Sequence, residues 1–159
     1  MKRFFAVLLA VCLVGGALAG CSGSSANYNV NDVASAVETV AKIENPLDIT
    51  EDDLTYEFGM DMSKIEEFSG QKTGVANTAG TVLVVKAAAG SADDVKTALE
   101  SYKNGLVSVS ENYQSDFPDA YQQVSDGRVV TKGDCVVLAI AAAGVEYTEI
   151  DAAIDEALK

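Results

Sequence analysis

Residues 48–67 are the part of this chain whose side chains could do acid–base or ligand chemistry. They hold eight acids (Asp48, Glu51, Asp52, Asp53, Glu57, Asp61, Glu66 and Glu67) against one base, Lys64. Glu51, Asp52, Asp53, Glu57 and Asp61 are candidate ligands for a weakly held divalent cation, and a convergent carboxylate pair could run glycosidase-type hydrolysis. Adjacent carboxylates on a helix point in different directions, so sequence proximity does not by itself create such a pair. The chain has no His, which removes the commonest general base and the commonest zinc ligand. Serine-rich stretches therefore lack an imidazole to activate them. Nothing in the composition implies a cofactor.

The second chemical feature is Cys21. It follows a start carrying Lys2 and Arg3 and an uncharged apolar run from Phe4 to Leu18. That pattern is an export signal. The run ends Leu18-Ala19-Gly20-Cys21, which resembles the bacterial lipobox. In lipoproteins of that kind the Cys thiol takes a diacylglyceryl group and becomes the new N-terminus. The expected organisation is a lipoprotein signal peptide over 1–20, lipidated Cys21 with a flexible tether over 21–29, and one domain over 30–159. The tether, Ser22 to Asn29, has a root-mean-square reach of about 15 Å. The expected location is the outer face of the cell membrane, held through lipid on Cys21.

Removing residues 1–20 leaves 9 bases and 24 acids, a formal charge of −15 rather than −13. Such acidity excludes nucleic acid, whose phosphates need a basic face. The 48% apolar content excludes a disordered acidic tail. Beyond Cys21 the mature chain keeps only Cys135, so no intrachain disulfide framework exists and the core must supply the stability. Cys135 lies in an apolar run and reads as a small buried hydrophobe.

The elements that must position these residues follow from periodicity. Val30, Val33, Val37 and Val40 form one stripe, giving a helix over about 32–43 that Asn45-Pro46 ends. Thr50-x-x-Asp53 and Ser63-x-x-Glu66 read as helix caps, the second as a capping box. Phe68 to Val75 is a strand candidate broken by Gly70 and Gly74, and Thr81 to Ala89 is a strong strand. Ser91 and Asp94 cap a long helix. Its inward stripe is expected to be Val95, Ala98, Leu99, Tyr102, Leu106, Val109 and Tyr113. Phe117-Pro118 closes it, and Asp116 to Tyr121 reads as a link in which two aromatics could pin the crossover or face a partner. Arg128 to Thr131 and Cys135 to Ala143 form a hairpin across Lys132-Gly133-Asp134. Thr148-x-x-Asp151 starts the last helix. Acids at the helix starts (Asp93, Asp94, Glu146, Glu149) would repel an anionic ligand.

Val82 to Gly90 aligns with Val136 to Gly144, suggesting a strand–strand–helix unit used twice. The expected fold is α+β. Four mostly antiparallel strands carry the two helices on one face, and the Val30–Val40 helix covers the other.

The ordered series of Ile49-Thr50-Glu51-Asp52-Asp53-Leu54, Tyr56, Gly59, Ile65-Glu66-Glu67-Phe68, Val82 to Lys86, Val95 to Leu99, Phe117 to Tyr121 and Val129 to Asp134 resembles the domain of unknown function 4358 family of small bacterial lipoproteins. That resemblance implies the location and fold, and carries no activity. The function expected is an exported, lipid-anchored binding or accessory module with a possible protein partner at the cell surface. The alternatives are a carboxylate-based cell-surface hydrolase, or weak divalent-cation binding by 48–67.

Overall fold

A computed structural model of the chain describes residues 28–159. Cys21 and the signal segment 1–20 lie outside the described residues, as does most of the expected tether.

The first helix, α1 (Val30–Ala41), starts because Asn29 accepts the backbone N–H groups of Asn31 and Asp32. It stops at Lys42, which takes the left-handed conformation. Chain order then gives β1 (Pro46–Asp48), α2 (Glu51–Tyr56), β2 (Ile65–Thr73), β3 (Thr81–Ala87), α3 (Ala92–Glu111), α4 (Pro118–Asp126), β4 (Arg128–Lys132), β5 (Cys135–Ile140) and α5 (Tyr147–Ala157). A short 3₁₀ turn, Met62–Lys64, leads into β2.

The fold is α+β, with five strands rather than four, all antiparallel to their neighbours, in the order β1-β2-β3-β5-β4. The additional strand is three residues long and begins with Pro46, too short to show an alternation. Gly70 does not break β2. Its missing side chain lets β2 lie against β3, because a Cβ there would sit 2.1 Å from the Val82 carbonyl oxygen.

Strands β3 and β5 form the centre and are buried on both faces. Alternation then divides their side chains. Val82, Val84, Val137 and Ala139 face α1 and α5, packing on Val33, Val37, Ile150 and Ile154. Leu83, Val85, Val136 and Leu138 face the opposite layer, packing on Leu54, Val95, Leu99 and Val124. Each fully buried Val or Leu contributes about 1.5–3 kcal/mol of transfer free energy.

This division corrects the expectation that α3 and α5 share a face. The apparent repeat sets Val82 over Val136, yet those residues point to opposite layers. A one-residue offset in a strand inverts every side chain, and the helices that follow go with them. The α1 helix does cover the face left open by α3, but shares it with α5.

Two further elements differ from expectation. Pro118 starts α4 instead of only ending α3, as proline at a first helical position does. Of the caps read from sequence, Thr50 and Asp53 form the capping box. Ser63 instead donates to Asp61, and Glu66 lies in β2 and pairs with Lys86 at 2.8 Å. Ser91 makes no side-chain cap, and α5 starts at Tyr147, one residue before Thr148.

Candidate functional site

The acidic segment is where sequence placed the chemistry, and three of its five candidate ligands, Asp53, Glu57 and Asp61, are already engaged. Asp53 accepts the Thr50 backbone N–H at 2.8 Å and lies 2.8 Å from the Lys72 ammonium. The Lys72 ammonium, helped by the Thr50 N–H, holds the Asp53 carboxyl down to about 2. Glu57 pairs with the same ammonium and accepts the Tyr102 hydroxyl at 3.0 Å. Lys72 therefore stands between the two carboxylates, where a bound cation would otherwise sit. Burial works against its charge, but the two carboxylates outweigh that and raise its pKa.

Asp61 accepts from the Ser63 backbone and hydroxyl at 3.0 and 2.7 Å, and its pKa is lowered by those bonds. Glu51 and Asp52 are exposed on the first turn of α2. Among the described residues, no group of three or more Cys, Asp or Glu side chains is arranged to hold a metal ion. The segment brings Asp53 and Glu57 together around Lys72, and leaves Glu51, Asp52 and Asp61 apart from them. Tyr102 completes this local unit by packing against Phe58, the rings tilted by 41° with centroids 4.3 Å apart.

Cys135 is buried at the start of β5. Burial pushes its thiol up to about 11, so it is not a thiolate at neutral pH.

The concave surface lies elsewhere. Helix α3 follows β3 and runs back along it. Its 20 residues span about 30 Å, against about 23 Å for the seven of β3. The helix therefore overshoots the sheet. Val109 and Tyr113, expected on the buried stripe, project beyond the core and are 59% and 55% exposed. Phe117 continues this ledge at 39% exposed.

Opposite the ledge stands the β2–β3 turn, Asn77 to Gly80. Two adjoining clefts of about 290 and 310 Å³ lie between turn and ledge, and share Asn77, Thr78, Ala79, Phe117 and Ala120 in their walls. One extends toward Leu106, Val109 and Tyr113, the other toward Ile43, Glu44, Asp116 and Asp119. Gln123 fixes the floor. Its side chain is buried, accepting the Ala79 N–H at 3.2 Å and donating to the Ala141 carbonyl at 2.9 Å. Asn77 takes a positive φ of 61°, which turns the chain at the rim.

The groove's place in the molecule is defined by the sheet. It caps the end where Thr81 pairs with Ile140. Tyr28 is fixed at the other end, where Lys86 pairs with Cys135, through a 3.0 Å hydrogen bond to Asp134. Helix α1 connects the two ends, and the Ala142 N–H reaches the Ala41 carbonyl at 2.8 Å. Tyr28 and Asn29, expected in the tether, are thus held by the domain.

The sequence touched this groove only at Asp116 to Tyr121, the link whose two aromatics could pin the crossover or face a partner, and Phe117 of that link lines both clefts. The readable signal was Pro118 at a helix start followed by Ala120 and Val124 at i, i+4, which marks α4 and the corner it makes with α3. Among the described residues no helix is long and apolar enough to cross a membrane.

A family model described as "Domain of unknown function (DUF4358)" matches residues 29–141. No curated protein and no solved structure matches the chain.

Proposed function

The chain belongs to the DUF4358 family, and from that premise we propose that it is an exported, lipid-anchored binding module. Lipid on Cys21 holds it at the outer face of the cell membrane, and the groove between the β2–β3 turn and the α3–α4 corner binds a protein partner. The observation that carries this reading is polar opposition. The described chain begins at one end of β3 and β5, and the groove caps the other end, roughly 20 Å away. With the expected tether shortened to residues 22–27, a reach of about 13 Å, an anchored domain would keep its first residue near the membrane and turn the groove outward. The exposed Val109, Tyr113 and Phe117 give that outward end an apolar character unusual for so acidic a chain.

The hydrolase and cation alternatives both draw on residues 48–67. There Lys72 already occupies the Asp53–Glu57 pair, so no observation in that segment favours either.

Two measurements test the proposal. Fractionation of cells expressing the Cys21→Ala chain should find it released or unprocessed, and unchanged membrane retention would remove the anchor. A photo-crosslinking residue at Val109 should give a discrete adduct in intact cells, where the same residue at the exposed Tyr56 gives none. Equal or absent adducts from both positions would remove the groove as the binding surface.

A further inference from the structure

The geometry points to a partner of specific chemistry: a basic amphipathic segment of a second protein. Its apolar side chains would lie on Val109, Tyr113 and Phe117, and its lysines or arginines would reach Glu44, Asp116 and Asp119. This rests on the groove being the binding surface.

The argument is one of charge and shape together. Neither cleft has a Lys or Arg in its walls. Seven of the nine bases after residue 20 are committed to ion pairs elsewhere, with Lys72 on Asp53 and Glu57, Lys86 on Glu66 and Lys132 on Asp155 as examples. Of the other two, Lys103 reaches the Gly127 carbonyl, and Lys42, exposed at the end of α1, lines neither cleft. Among the described residues no cation lies within 4.0 Å of Glu44, Asp116 or Asp119, although all three line the same cleft. Among the described residues eight of the 24 acids pair with a cation, all of them outside the two clefts, and these three belong to the unpaired majority; what distinguishes them is their place in a cleft that adjoins the apolar ledge. An acidic or purely polar partner would meet repulsion or leave the ledge wet. A lysine or arginine suits both parts, since its aliphatic stem lies on apolar surface while its head meets carboxylate. Phe117 adds a ring face that attracts such a head. A segment spacing its anchors at i, i+3 and i+4 would match the ledge made by Val109 on the last turn of α3 and Tyr113 just past its end.

The test uses the full lipidated chain in nanodiscs of neutral lipid, and fluorescein-labelled 14-residue peptides of Leu and Lys or of Leu and Glu, followed by anisotropy. The Leu–Lys peptide should bind and its Leu–Glu twin should not. Combined Glu44→Gln, Asp116→Asn and Asp119→Asn should weaken binding roughly tenfold, as loss of complementary charge at a partly desolvated contact does. Removing three charges outside the clefts, by Glu51→Gln, Asp52→Asn and Glu67→Gln, should change it less than about twofold. Circular dichroism confirms that both variants fold. Equal weakening by the two sets would mean diffuse attraction and overturn the inference. If neither peptide binds while the Val109 adduct persists in cells, the partner chemistry is wrong and the groove stands. If the adduct is also absent, the groove itself falls.

Discussion

Tyr28 donates its hydroxyl proton to Asp134 at 3.0 Å, joining residues 106 positions apart. The bond ties the first described residue to the β4–β5 turn and so fixes the end of the sheet from which the chain leaves toward its N-terminus. The outward orientation proposed for the groove depends on that end lying opposite it.

Stability should decline on both sides of neutrality, for different groups. Asp53 is lowered from 3.8 to about 2, so its contribution is complete above 3.8 and is lost as pH falls toward 2. Glu38 is raised from 4.5 by burial and then by Asp48, so its contribution has the opposite sign and Glu38→Gln should stabilise the domain at pH 7. Cys135 is raised from 9.0 to about 11, so its contribution is complete below 9 and fades as pH rises to 11. Tyr28, Tyr102 and Tyr147 are raised from 10.0, chiefly by burial, and add to the alkaline loss. Urea midpoints measured from pH 2 to 11 check this, and Cys135→Ala should flatten the 9–11 limb.

Two glycines should behave oppositely when changed to alanine. Gly70→Ala puts a Cβ 2.1 Å from the Val82 carbonyl and 2.8 Å from the Leu83 Cα, both backbone, and should cost at least about 2 kcal/mol. At Gly105 on α3 the new Cβ meets nothing within 4 Å, and the domain should gain about 0.5–1 kcal/mol. Chemical denaturation of both variants checks the contrast.

Gln123→Leu should cost about 1–3 kcal/mol, because it leaves the Ala79 N–H and the Ala141 carbonyl without their partner. Hydrogen exchange should quicken first at Ala79 and around the β2–β3 turn, since that turn loses its attachment to α4.

Lys72→Ala should lower the melting temperature by several degrees, because Asp53 and Glu57 then face each other without a cation. The unchanged protein should show a shift below about 1 °C in millimolar calcium, where its own ammonium fills the place. A larger calcium-dependent rise would restore the cation-binding reading of residues 48–67.

Val109→Ser and Tyr113→Ser together should leave the melting temperature within about 2 °C, because both side chains are mostly exposed. The same double variant should abolish the Val109-region adduct when the crosslinker is moved to Ser110. A large stability loss would mean the ledge is structural.

Long apolar stripes and strong strand runs carried most of the fold in the sequence: α1, α3, β3 and the β4–β5 hairpin stand close to where periodicity set them. Three things did not show. Strand β1 is too short to have a period. The layer of α3 and α5 depends on strand register, because Val82 and Val136 look equivalent until their faces are known. The groove arises from a length mismatch between α3 and β3, and no stripe on α3 announces where the sheet beneath it ends. Val109 and Tyr113 therefore read as core. The acidic segment misled in the other direction, since Lys72, distant in sequence, neutralises the pair that composition made conspicuous.

The central claim is a partner bound at the groove of an anchored domain. Hydrogen–deuterium exchange on the full chain in native membranes, compared with the purified chain in detergent, tests it most directly. Peptides covering 75–80 and 106–120 should gain protection in the membranes while those of α1 and α5 stay unchanged. Protection confined to α1 and α5, or no difference anywhere, would contradict it.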